Sequence, residues 1–188
     1  MALRPTASQT VGPYFHIGLP WDDGTELVSA NHPGAIGLGG TLTDGDGEPI
    51  DDGMIEIWQA NQAGRYAHPE DDRADVPLED GFEGFGRSET DDYGRYEFRT
   101  VKPGPVPGPD GRLQAPHIEM SVFARGLLQR VVTRVYFPDE EQANAADPLL
   151  SSIEDEAVRD TLVAVAEDGM LRFDIRLQGD GETAFLDV

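Results

Sequence analysis

His117-Ile118-Glu119-Met120-Ser121 puts an imidazole and a carboxylate two residues apart. On an extended strand alternate side chains share a face. Ile118, Met120, Val122 and Ala124 then enter a core, while His117, Glu119 and Ser121 point together the other way. Such a pair can share a proton or supply half of a metal site. His-x-Glu also opens the two-His-one-carboxylate arrangement of non-haem Fe(II) enzymes, which usually take their second histidine from further down the chain. Here His117 is the last histidine, and His16, His32 and His68 all precede it. On spacing alone the pair reads first as hydrogen-bonded groups on a strand. Arg130 and Arg134 share one face of the next predicted strand, where they could line a site or pair with acids. Trp21 and Trp58 default to core positions.

These groups need strands to hold them. Tyr96 and Phe98 alternate with charged neighbours, as do Leu171, Phe173, Ile175 and Leu177. Period-two alternation marks half-buried strands. Asp-Gly pairs at 44–45, 46–47, 52–53, 110–111 and 168–169 supply turns, the last reading as a hairpin. Strands are expected over 36–43, 54–60, 94–100, 117–124, 130–137, 161–167, 170–178 and 182–187. Short helices are expected over 139–146 and 151–159, capped by Asp139 and by Ser151 or Ser152. The pattern implies one all-β domain over 1–188, an antiparallel β-sandwich with long irregular loops. Residues 66–93 are acidic and glycine-rich, and residues 102–116 are proline-rich. Residues 1–35, with Pro5, Pro13, Pro20 and Pro33, read as an extended N-terminal arm.

The chain has 188 residues, no cysteine and a formal charge of -22. It therefore has no disulfide framework, thiolate metal site or cysteine nucleophile. Nucleic acid is a poor partner, because phosphate binding needs a basic face. An anionic substrate would need a local arginine. Met1–Thr10 lacks the apolar run of a secretory leader, and no apolar stretch approaches membrane-spanning length. The expectation is a soluble, cytoplasmic protein with no membrane partner.

Several segments resemble intradiol aromatic-ring dioxygenases. They are Ser8–Phe15 (SQTVGPYF), Ile55–Tyr66 (IEIWQANQAGRY), Gly84–Gly104 (GFGRSETDDYGRYEFRTVKPG) and Ala115–Gly126 (APHIEMSVFARG). The tail Arg172–Thr183 (RFDIRLQGDGET) is similar to the non-catalytic α-type subunit of the family's two-subunit branch. Together the segments span most of the chain, in the family's order.

The resemblance implies cleavage of a catechol ring between its hydroxyl-bearing carbons by O2, at an Fe(III) held by two tyrosines and two histidines. In the two-subunit branch the substrate is an aromatic catechol acid, α–β pairs assemble into a hetero-oligomer, and the β subunit carries the iron. The ligand positions fall here on Tyr66, Val106 (in Lys102-Pro-Gly-Pro-Val106), His117 and Glu119. Valine has no donor atom, so no metal is expected in this chain and its Fe(III) belongs to the β partner. The arginine the family places just before this histidine is also absent, since Gln114-Ala115-Pro116 stands there. Gly12, Pro13, Tyr14 and Arg125 match α-subunit residues that line the partner's substrate pocket. The expected role is to shape that pocket, with the 1–35 arm packing on the partner. A stand-alone, metal-free β-sandwich binding module is the alternative. A third possibility is an active enzyme with the altered ligand set Tyr66, His117 and Glu119.

Overall fold

The computed structural model describes Gly12 and residues 18–187. Two sheets make up most of it. In the first, β1 (Ala35–Thr43) is central, with β4 (Arg95–Val101) antiparallel on one edge. On its other edge lie β10 (Met170–Arg172) and then β11 (Ile175–Arg176), both parallel to β1. β9 (Val165–Glu167) pairs antiparallel with β10 outside them. The second sheet has the order β3 (Phe85–Glu89), β2 (Met54–Trp58), β7 (His117–Phe123), β8 (Val131–Tyr136), all antiparallel. A ribbon of β5 (Val106–Pro107) and β6 (Leu113–Gln114) lies in the proline-rich stretch.

Leu38, Phe98 and Ile175 from the first sheet meet Ile57, Ile118 and Met120 from the second in one buried cluster. The expected sandwich is thus formed, with one departure from a purely antiparallel design at the β1–β10/β11 edge. The close approach there needs a glycine. A Cβ on Gly40 would stand 1.9 Å from the Phe173 carbonyl oxygen. The Asp168-Gly169 hairpin forms as read, with φ of 49° and 82°, the left-handed pair that tight hairpins require.

Other expectations shift. β3 lies inside the stretch read as irregular. Its inward positions are Gly86 and Ser88, so it shows no apolar alternation. Residues 182–187 form no strand and meet β8 at an isolated Leu186–Val132 bridge and where the Thr133 hydroxyl donates to the Ala184 carbonyl at 2.8 Å. Residues 161–163 form no strand either, and β9 begins at Val165. The helices shrink to α1 (Glu141–Ala146) and α2 (Glu156–Asp160), with a 3-10 turn at Leu150–Ser152. α2 is capped by Asp155, whose side chain accepts from the Ala157 N–H, and not by a serine. No side chain caps α1, so Asp139 does not play that part; it pairs with Lys102 instead. Among the described residues no helix is long and apolar enough to cross a membrane.

Candidate functional site

The strand register decides which chemical groups meet. On the outward face of the second sheet, Trp58, Glu119 and Arg134 form one cross-strand row, and His117 and Tyr136 form the next. β7 alternates as the sequence implies, with Ile118, Met120 and Val122 fully buried on the core side. His117 is nonetheless only 3% exposed, because Tyr136 packs beside it at 5.7 Å between ring centroids.

A loop carries Tyr66 over this row. The Asn61 side-chain oxygen accepts from the Ala63 and Arg65 N–H groups. Gly64 has φ of 81°, and a Cβ there would meet the Pro105 carbonyl oxygen at 2.3 Å. Only glycine permits that contact, which presses the Tyr66 loop against the run into Val106. Tyr66 then stacks on Trp58 at 5.8 Å. Asp71 accepts from the Tyr66 N–H at 2.8 Å, and Arg73 clamps Asp71 and donates to the Gly64 carbonyl.

Electrostatics at the centre are dominated by one pair. Arg134 places Nε 2.8 Å and Nη2 2.7 Å from the same Glu119 oxygen. Burial disfavours ionised Glu119, but His117 and Arg134 together outweigh it and hold the carboxyl below its ordinary range. Burial works against the Arg134 charge too, and Glu119 and the Tyr136 hydroxyl more than offset it. Burial and the negative charge of Glu119 push the Tyr66 hydroxyl up, away from the phenolate. Tyr136 donates in turn to Asp147, a fully buried carboxylate that also accepts from Ala115, Leu149 and Leu150 N–H groups.

The sequence of residues 10–179 matches a family described as Dioxygenase. The chain belongs to the intradiol dioxygenase family. Its relatives include the protocatechuate 3,4-dioxygenase alpha chain of Pseudomonas putida, 42% identical over 98% of this chain and 97% of that one. The protocatechuate 3,4-dioxygenase beta chain of Burkholderia cepacia is 40% identical over 77% of this chain and 64% of that one. Among solved structures, the dioxygenase domain of a dioxygenase–carbohydrate-binding fusion from Streptomyces sp. SirexAA-E superposes with a TM-score of 0.59. It is 25% identical and covers 85% of this chain and 88% of that one.

Intradiol dioxygenases work with non-haem iron, and the residues at the four ligand positions here do not fit it. Val106 is buried hydrocarbon, 4% exposed. Glu119 is engaged by Arg134. His117 Nδ1 donates to the Ala115 carbonyl at 2.7 Å, while its Nε2 lies 3.6 Å from Glu119 with no hydrogen-bond partner. Among the described residues no three His, Cys, Asp or Glu side chains are grouped to hold a metal.

Arg125 sits elsewhere. It follows the end of β7 with its side chain 76% exposed and pairs with Asp52 at 2.9 Å. Four extended steps along β7 carry the chain about 13 Å from Glu119 to Phe123, and Arg125 lies two residues beyond in a turn. Gly12 is exposed, and Pro13 and Tyr14 lie outside the described residues. Arg130 is exposed just before β8, so of the two arginines read on that face only Arg134 enters the centre. Trp58 is half-buried at the centre's wall. Trp21 is not core: it is 45% exposed, stacked on Phe85 and covered by Arg87. Sequence reasoning named Arg134 without its partner and passed over Asp71, Arg73 and Asp147. A cross-strand Glu–Arg pair becomes visible once register is known.

Proposed function

We propose that this chain is the α-type subunit of a protocatechuate 3,4-dioxygenase, which opens 3,4-dihydroxybenzoate with O2 to 3-carboxy-cis,cis-muconate. On this reading it holds no iron itself and shapes the substrate pocket of an iron-bearing β partner. The observation that carries the proposal is the near-full-length likeness to an alpha chain, joined to a ligand set in which Val106 has no donor atom and Glu119 stands in place of a histidine. Ferric iron in the partner would act as a Lewis acid on the catecholate. This chain's part is recognition. Arg125 offers a planar, permanently charged fork to the ring carboxylate, which a chain of charge -22 would otherwise repel. Its distance from this chain's own centre supports a role at a neighbour's site. Gly12, Pro13 and Tyr14 supply a close backbone approach, an aromatic wall and a hydroxyl. The 1–35 arm, in a single 1–188 domain, adds contact with the partner, and the assembly works in the cytoplasm.

The test is co-expression with the β partner, comparing the wild type with Arg125→Ala. The pair is expected to hold iron and this chain alone none. Losing a charge-assisted hydrogen bond of about 1.5–3 kcal/mol raises KM for protocatechuate by about 10- to 100-fold. The melting temperature should not move, because Arg125 is exposed. Unaltered KM and kcat would sink the role of Arg125. Stoichiometric iron in the lone chain would sink the subunit reading in favour of the altered ligand set.

A further inference from the structure

The centre that the family gives to iron is not simply stripped of donors in this chain. It already contains a cation. Arg134 and Glu119 stand directly opposite one another on β8 and β7, and both guanidinium contacts fall on one carboxylate oxygen. The two side chains are 15% and 28% exposed. A half-buried ion pair persists when each charge neutralises the other, and losing either partner strands the other in a poor solvent. The same oxygen is the one that His117 Nε2 approaches at 3.6 Å. That nitrogen is buried and lacks a hydrogen-bond partner, a rare condition for a polar atom in a folded interior. Two donors each about 2.1 Å from one ion are held at roughly this separation. Tyr66 stacks on Trp58, next to Glu119 in the row, and its hydroxyl feels the charges of both Glu119 and Arg134.

We propose that Arg134 is the resident cation of this centre. It neutralises Glu119 and excludes a metal ion by like charge, and a neutral residue at 134 converts Tyr66, His117 and Glu119 into a metal site. A metal ion approaching His117 Nε2 must share the Glu119 oxygen with a guanidinium that cannot lose its proton. Removing that charge leaves a carboxylate oxygen and an imidazole nitrogen 3.6 Å apart, with the Tyr66 ring stacked on Trp58 beside Glu119, donor types suited to a first-row transition ion. The valine at 106 leaves the fourth position to water. This inference rests on the family assignment of the ligand positions. It is independent of Arg125 and of any partner, because it concerns metal held by this chain alone.

The test is equilibrium dialysis of the full-length chain against Co(II), with the visible cobalt spectrum recorded in parallel. Wild type, Arg134→Ala, Arg134→Gln, Arg134→Lys and the double variant Arg134→Ala/Glu119→Ala are compared, each checked for fold by circular dichroism. Arg134→Ala should bind one Co(II) per chain, tighter than wild type by about a hundredfold or more, since a full unit of like charge beside the ion is gone. Arg134→Gln keeps the bulk without the charge and shows the same gain in weaker form, which covers the case in which alanine fails to fold. Arg134→Lys keeps the charge and should stay at the wild-type level. The double variant should return to it. Wild type binding Co(II) as tightly as the neutral variants would overturn the proposal, as would folded neutral variants that gain nothing. A gain that survives removal of Glu119 would also overturn it, by placing the metal elsewhere.

Discussion

At Asp71 four donors converge on one carboxylate: the Tyr66 and Arg73 N–H groups and Nε and Nη2 of Arg73. The Arg73 hydrogen bonds hold the Asp71 carboxyl well below the usual carboxylate range. A group whose folded pKa is depressed contributes stability that is complete above its unfolded value and lost as pH falls through the folded one. We expect Asp71→Asn to lower the thermal midpoint by a constant amount at neutral pH. The gap to wild type should then shrink as pH falls below the ordinary carboxylate value of 3.8. Trp58 fluorescence reports the loop directly through its stacking with Tyr66, once Trp21 is replaced by phenylalanine. A gap that widened on acidification would show that Asp71 is not the group being titrated. At the same scale, Arg125→Ala should act on KM and spare stability, because an exposed ion pair contributes little to folding.

Elements set where these residues stand, and the parallel edge of the first sheet is the most constrained of them. At Gly40 the neighbouring atom is the Phe173 carbonyl oxygen, which belongs to the backbone that feeds β11 and cannot step aside. At Gly37, three residues away on β1, the nearest atom to an added Cβ is Cγ of Met170 at 3.1 Å, part of a flexible side chain. Gly40→Ala should therefore cost about 3 kcal/mol and Gly37→Ala less than about 1 kcal/mol. Urea unfolding of the two variants checks the difference. Equal losses would mean that the parallel pairing yields more easily than its backbone contact implies. β3 teaches the converse lesson, since its buried face holds Gly86 and Ser88 and leaves no apolar rhythm to read.

Over the whole molecule the excess of acid dominates. A formal charge of -22 repels itself, and salt screens that repulsion over a Debye length of about 8 Å at physiological strength. Exposed pairs such as Arg95–Asp91 and Arg112–Asp110 weaken under the same screening, but solvent already leaves each of them contributing little. The melting temperature should therefore rise with added sodium chloride. A fall would show that the ion pairs outweigh the net charge. The same surface makes a local arginine necessary for any anionic substrate, and the role proposed for Arg125 meets that need.

The sequence by itself determined the two-layer β architecture, through period-two alternation in β4, β7 and the stretch from Leu171 to Leu177 and through the Asp168-Gly169 turn. It also determined the loss of a donor at position 106, because residue identity alone tells valine from tyrosine. Tertiary structure decided the rest. That β10 and β11 run parallel to β1 depends on a crossover between segments more than a hundred residues apart, which no local pattern encodes. That Glu119 belongs to Arg134 depends on strand register. Shifting β8 by one residue would send Arg134 to the opposite face of the sheet and leave the carboxylate unpaired.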